Sequence, residues 1–156
     1  MNSIGNMIGE LCKVILPIPE KSYQGNPDSF IAVCTLSSLD LLKKMANSEI
    51  LQYVSIVGRL LSENKGIDAI IHHVNQNKKI KIIIVCGKEV WGHKAGHSLF
   101  KLYKNGIDNR GRIIDSTSPD PYLTVTQSQV NYFRNEINLV NMTNETNFNK
   151  IKQQII

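Results

Sequence analysis

Short apolar runs alternate along this chain with segments of helical periodicity. Residues 29–36 (S-F-I-A-V-C-T-L) and 80–85 are apolar and rich in β-formers, which is typical of strands buried on both faces of a parallel sheet. Residues 53–60 predict another strand, interrupted by Gly58, and residues 112–115 predict a last short one. The pattern therefore indicates a sheet built from brief buried strands.

Helical periodicity fills the intervals between these strands. A brief helix is predicted over residues 38–46, another follows residue 98 and ends at a left-handed Gly106 cap, and a closing helix begins near Ser128. A further helix is predicted where apolar residues fall at i, i+3, i+4 and i+7, namely Ile67, Ile70, Ile71 and Val74. In this helix His72 and His73 would point mostly toward solvent. The inward positions of the last two helices are Leu99, Leu102, Tyr103, Val130, Phe133, Ile137 and Val140.

Alternating strands and helices require crossover connections, which place helices on both faces of a mostly parallel sheet. The predicted fold is an α/β, Rossmann-like three-layer domain. We expect an N-terminal arm and extended lead-in over residues 1–27, the domain itself over 28–141, and a polar tail over 142–156. Neither G-x-G-x-x-G nor G-x-x-x-x-G-K-[ST] follows a predicted strand, so the common nucleotide cofactors lose support.

Composition narrows the function classes. Apolar residues make up 42% and charged residues 20%, an ordinary globular balance. The net charge is +5, but the basic residues are scattered along the chain and form no basic stripe, so we expect no nucleic-acid partner. No apolar run is long enough to span a membrane. Three cysteines, Cys12, Cys34 and Cys86, without a C-x-x-C pair favour a reducing, cytoplasmic location.

The most informative segment is residues 85–98, V-C-G-K-E-V-W-G-H-K-A-G-H-S, where a buried strand enters a glycine-punctuated turn. Such turns lie at the carboxyl ends of strands, where α/β proteins bind ligands. Three interpretations of its histidines stay open: a simple helix cap, a zinc site at Glu89, His93 and His97, or an axial imidazole for a large planar metal cofactor. Glycines disfavour the continuous helix that the zinc spacing would need.

Four segments carry a family resemblance: residues 25–36, 62–68 (S-E-N-K-G-I-D), 85–98 and 102–114. In order and spacing they resemble the A subunit of tetrahydromethanopterin S-methyltransferase, which carries the corrinoid in a methyl-transfer complex. The resemblance runs over about residues 17–141, and its C-G-x-E-V-x-G-H-x-x-G core is specific to that family.

The resemblance implies a cobalamin (cobamide) cofactor whose cobalt takes His93 as its lower axial ligand. His93 is thereby implied as the metal ligand and also as the catalytic residue. Cobalt(I) would accept a methyl group from methyl-tetrahydromethanopterin and pass it to the thiolate of coenzyme M, with partner subunits and without catalysis by this chain alone. The further cofactor-binding residues that it implies are Glu63, Asn64, Gly87, Trp91, Gly92, Gly96, His97 and Ser98.

Several positions depart from the family pattern. V-G-R-L-L (57–61) replaces A-G-P-C-K, S-T-S-P-D-P-Y (116–122) replaces the A-I-P loop, and His97 stands where the family has glutamine. The family's C-terminal membrane anchor has no counterpart before Ile156, so we expect a soluble homologue. Corrinoid storage and a cofactor-free interaction module of the same fold are the alternatives to methyl transfer.

Overall fold

A computed structural model describes residues 22–156 of the protein. Residues 1–21 of the predicted N-terminal arm and lead-in lie outside this described part. In chain order the described elements are β1 (Ser22–Gln24), β2 (Ile31–Cys34), α1 (Leu39–Ala46), a 3-10 helix (Glu49–Gln52), β3 (Ile56–Gly58), α2 (Lys65–Gln76), β4 (Ile82–Gly87), α3 (Ala95–Asn105), α4 (Gln127–Glu136), β5 (Asn138–Thr143) and α5 (Phe148–Lys152).

The five strands of this region form one sheet in the order β1-β3-β2-β4-β5. Strands β2 to β5 are parallel, and only the edge strand β1 runs antiparallel to β3. At the centre, Ile83 of β4 pairs with Ala32 of β2 and with Leu139 of β5. This mostly parallel sheet confirms the predicted Rossmann-like architecture.

Helices cover both faces of the sheet, as successive side chains of β4 show. Ile83 and Val85 pack into the cluster that contains the buried residues of α2, α3 and α4. Ile84 and Cys86 point to the opposite face and pack with the buried residues of α1 and α5. The alternation follows from the period-2 geometry of a strand, and it produces three layers.

The loops after β2 and β4 diverge, which opens a crevice at the carboxyl edge of the sheet. β2 leads to α1 on one face, whereas its neighbour β4 leads to α3 on the other face. In open α/β sheets such a divergence is where ligands bind. The loop that carries His93 begins at this point.

Two predicted elements at the C-terminal end are wrong. Instead of a strand over residues 112–115, Arg112 and Ile113 form isolated bridges and the two residues after them form a turn. Asp108 Oδ1 accepts the N–H groups of Arg110 and Arg112 and holds the chain in this irregular conformation. The closing helix ends at Glu136, and the residues after it form β5, which pairs with β4 as far as Thr143.

Other boundaries shift by a few residues. β2 and β3 are shorter than predicted, and part of the interval before β3 forms the 3-10 helix. Gly106 has the predicted positive φ of 76°, but its ψ of −157° lies outside the left-handed helical region. His72 is exposed and His73 is half-buried. No helix within residues 22–156 has the length and apolar character needed to cross a bilayer.

Candidate functional site

The candidate site lies at the carboxyl edge of the sheet, where the loops after β3 and β4 approach each other. His93 lies in the loop between β4 and α3, and Glu63 lies in the loop between β3 and α2. The His93 Nδ1 atom is 2.7 Å from Glu63 Oε2. Glu63 has a side chain only 1% exposed, and that of His93 is 13% exposed, so the contact is shielded from water.

The Glu63 carboxylate is held at both oxygens. Oε2 faces His93, and Oε1 accepts the backbone N–H of Asp120 at 2.9 Å. Burial raises the pKa of the Glu63 carboxyl. Hydrogen bonds from His93 and from the backbone N–H groups of Glu63 and Asp120 lower this pKa, and because their combined effect is larger, the pKa lies below its ordinary value. Glu63 is therefore ionised at neutral pH.

An ionised carboxylate accepts hydrogen bonds and cannot donate one, so the proton of the contact belongs to His93 Nδ1. In the neutral imidazole the lone pair then lies on Nε2. Histidines that bind metals through one nitrogen commonly donate the other N–H to a carboxylate, which fixes their tautomer and ring orientation. The pair formed by Glu63 and His93 has this chemistry.

Asn64 contacts the loop that contains Asp120. Its Oδ1 accepts the N–H of Lys65 at 2.7 Å as the N-cap of α2. Its Nδ2 donates to the carbonyl and the carboxylate of Asp120, at 3.2 and 3.0 Å. Asn64 therefore supports the position of Asp120, whose N–H in turn holds Glu63.

Glu89 caps helix α3. Its carboxylate accepts the backbone N–H groups of Val90, Gly96 and His97 at 2.7, 2.9 and 2.7 Å. The three side chains of the alternative zinc site thus have different partners, since His93 faces Glu63. Within residues 22–156 no group of three histidine, cysteine or acidic side chains could hold a metal ion. The geometry disfavours the zinc interpretation.

His97 and Ser98, at the start of α3, contact the loop that departs most from the family pattern. His97 Nε2 accepts the N–H of Thr117 at 3.2 Å. The Ser98 hydroxyl is fully buried, and it lies 2.6 Å from Ser116 Oγ and 2.7 Å from Ser118 Oγ. The sequence pattern did not identify Ser116, Thr117, Ser118 or Asp120. Only the replacement of the family's A-I-P loop signalled that this segment differs.

The glycines of the site and Trp91 differ in surroundings. Gly87 has a φ of +77°, and a Cβ there would stand 2.2 Å from the carbonyl oxygen of Thr35. Gly92 has a φ of +81°. Trp91 is 74% exposed beside His93, a large apolar surface to leave in water. The tight space at Gly87 arises from the protein itself, and a cofactor role for it stays a prediction.

We expect protonation of His97 to lower the free energy of unfolding of the protein at mildly acidic pH. Burial lowers the pKa of His97, and the positive charges of Lys101 and Lys94 lower it further. A histidine with a lowered folded pKa contributes stability above its unfolded pKa, about 6.5, and loses it as the pH falls. Urea unfolding from pH 7 to about 5 should show a declining free energy of unfolding.

In His97→Gln this decline should become shallower, because the residue no longer titrates. His73, whose pKa burial also lowers, contributes a remaining decline that both proteins share. The exposed histidine on α2 gives the matched control, His72→Gln, which should retain the wild-type pH dependence. Identical pH profiles for His97→Gln and the wild-type protein would contradict the assignment of the Thr117 contact to a neutral His97.

Comparison with known proteins identifies a family. A sequence model that describes the A subunit of tetrahydromethanopterin S-methyltransferase matches residues 16–156. The A subunit of the putative methyltransferase Mtx from Methanosarcina barkeri is 37% identical over 137 residues, which are 86% of this chain and 66% of that protein. The A 2 subunit of tetrahydromethanopterin S-methyltransferase from Methanothermobacter thermautotrophicus is 34% identical over 120 residues, 76% of this chain and 63% of that protein. The chain thus spans slightly less than two thirds of these relatives.

Proposed function

The chain belongs to the family of the tetrahydromethanopterin S-methyltransferase A subunit, and on that premise we propose that it is a cobamide-carrying component of a methyl-transfer system. In this proposal His93 supplies the lower axial imidazole to cobalt. The observation that carries it is the 2.7 Å contact between His93 Nδ1 and Glu63 Oε2. The family resemblance supplies the cofactor, and the contact supplies a histidine prepared to bind it.

The residues present fit such a cofactor. A cobalt ligand must be a neutral imidazole with a defined lone pair, and the ionised Glu63 carboxylate fixes the proton on His93 Nδ1. The site also lies at the carboxyl edge of the sheet, with the exposed indole of Trp91 two residues from the ligand. Bound there, a cobamide would supply a nucleophilic cobalt centre that accepts a methyl group and yields it to a thiolate.

The protein's own groups orient and hold the ligand. Glu63 retains the Nδ1 proton of His93, and the N–H of Asp120 prevents the carboxylate from rotating. Trp91 would give apolar cover to the macrocycle, and Gly92, with its positive φ, allows the turn on which His93 is presented. We assign His97 and Ser98 to support of the neighbouring loop, and Asn64 to support of Asp120.

The partners follow the family. We propose that partner subunits present a methyl donor such as methyl-tetrahydromethanopterin and a thiol acceptor such as coenzyme M, and that this chain does not catalyse the reaction alone. The buried thiols Cys34 and Cys86 fit a reducing compartment, and we place the protein in the cytoplasm.

The competing proposal is a member of the family that acts as an interaction module without the cofactor. Its support is the segment 116–122, which contacts Glu63, His97 and Ser98 and stands in place of the family's A-I-P loop. Both proposals require the same fold, so the fold cannot separate them. The difference is whether the chain retains a corrinoid.

Reconstitution with hydroxocobalamin followed by gel filtration separates the two. We expect about one equivalent of corrinoid to co-elute with the protein, with an absorbance spectrum shifted from that of the dissolved cofactor because the His93 imidazole becomes a ligand of cobalt. Elution of the corrinoid apart from the protein, under conditions where circular dichroism shows a folded chain, would support the interaction module and contradict the carrier.

A further inference from the structure

The carboxylate of Glu89 joins the two ends of the loop that carries His93. Its Oε1 accepts the N–H of Val90 at the start of the loop and the N–H of Gly96 beyond its end. Its Oε2 accepts the next N–H along α3, that of His97. One side chain thus closes the segment from residue 89 to residue 97, and His93 lies in the middle of it.

Gly96 makes the space that this carboxylate occupies. A Cβ at residue 96 would stand 2.9 Å from Glu89 Oε2 and 3.2 Å from Glu89 Oε1, with Leu36 Cδ1 also at 3.2 Å. The φ of Gly96 is not positive, so its backbone conformation is open to any residue. In a helix glycine costs about 1 kcal/mol relative to alanine. Space for the carboxylate, and not backbone conformation, explains a glycine here.

The loop needs such a restraint. Lys94, next to His93, has left-handed backbone angles (φ 48°, ψ 48°), which are unfavourable for a residue with a side chain. Lys94 occupies the N-cap position of α3 without a side-chain hydrogen bond to the helix, so the first N–H groups of α3 depend on another acceptor. Glu89 supplies that acceptor, and without it the loop could relax to less strained angles.

We propose that Glu89 and Gly96 are a positioning pair, in which the glycine admits the carboxylate and the carboxylate fixes the loop so that the His93 imidazole meets Glu63. Neither residue touches the cofactor in this proposal. The pair would explain the spacing of the glutamate and the second glycine in the E-V-W-G-H-K-A-G segment. The inference rests on the proposed function only for its consequence on cofactor binding.

The direct test uses the protein without cofactor. In ¹⁵N-labelled protein we measure hydrogen exchange of the Gly96 and His97 amides and of the His93 Nδ1–H. In Glu89→Ala all three should exchange at least about tenfold faster, because the amides lose an acceptor and the imidazole loses its fixed position. In Gly96→Ala the new methyl group should displace the carboxylate, and the His97 amide and the His93 Nδ1–H should accelerate similarly.

A double-mutant cycle tests whether the two residues act as one unit. Once Glu89 is alanine there is no carboxylate to displace, so adding Gly96→Ala should change the His93 Nδ1–H exchange by less than about twofold. Glu136→Gln removes a carboxylate that is exposed and distant, and it should leave exchange in the loop unchanged. The proposal would be overturned if the effects of the two substitutions on exchange were additive. It would also be overturned if the His93 Nδ1–H exchanged in Glu89→Ala at the wild-type rate.

The cofactor arm keeps this inference distinguishable from the proposed function. With hydroxocobalamin, Glu89→Ala and Gly96→Ala should each weaken binding by about 10- to 100-fold, the usual effect of losing support for a metal ligand. If the exchange effects appear and neither the wild-type protein nor the variants bind the corrinoid, the positioning pair stands and the carrier function fails. If the wild-type protein binds and both variants bind equally well, the pair does not position the ligand.

Discussion

His93→Ala is expected to eliminate protein nitrogen coupling from the electron paramagnetic resonance spectrum of the protein loaded with cobalt(II) cobalamin. The imidazole is the proposed axial ligand, and no methyl side chain can replace its lone pair. We expect the affinity for hydroxocobalamin to fall by more than about 100-fold, since losing the ligand should exceed the 10- to 100-fold effect of losing a group that supports one. The measurement compares protein labelled with ¹⁴N- and ¹⁵N-histidine.

The control for this variant is His72→Ala, because His72 is an exposed histidine on α2. It should retain both the coupling and the affinity of the wild-type protein. His93→Ala should also lose about 1–3 kcal/mol of stability, because the buried Glu63 keeps its charge without the imidazole. Urea unfolding must therefore show that the variant is folded. Persistent histidine coupling in a folded His93→Ala variant would place the axial ligand at another residue.

The fold could be predicted from the sequence wherever burial and periodicity agreed. β4 is apolar throughout and lies between two strands, so both of its faces require apolar residues and the pattern was unambiguous. β5 was missed because Ile137 and Val140 continue the helical spacing of Val130 and Phe133. Pairing with β4 decides the conformation of that segment, and this is a tertiary contact that a local pattern does not contain.

The site could be predicted only in part for the same reason. Glu63 and His93 were identified by motif, but Asp120 contacts Glu63 through its backbone N–H from 57 residues away. A backbone donor has no side-chain signature in the sequence. Glu89 was interpreted as a candidate metal ligand by its spacing, whereas its carboxylate faces the N–H groups of its own loop. The spacing of acidic and histidine residues could not show which side chains bind the backbone of their own loop and which face a ligand.

Glu63→Gln is expected to weaken corrinoid binding by about 10- to 100-fold while the imidazole coupling remains detectable. The wild-type carboxylate accepts two N–H donors, one on each oxygen, from His93 and Asp120. A glutamine has one oxygen and one NH₂ group, so it can accept from only one of these donors and places its NH₂ group against the other. The His93 ring should therefore lose its fixed tautomer without losing its capacity to bind cobalt.

The same variant should change stability at acid pH. Because the folded pKa of Glu63 is lowered, its contribution to stability is present above the unfolded glutamate pKa and is lost as the pH falls below it. Urea unfolding from about pH 6 to pH 3 should show a steeper decline in the wild-type protein than in Glu63→Gln. Glu136→Gln, which removes an exposed carboxylate, is the matched control and should bind the corrinoid normally. Wild-type corrinoid affinity in Glu63→Gln would show that the carboxylate does not orient the ligand, even if His93 remains bound to cobalt.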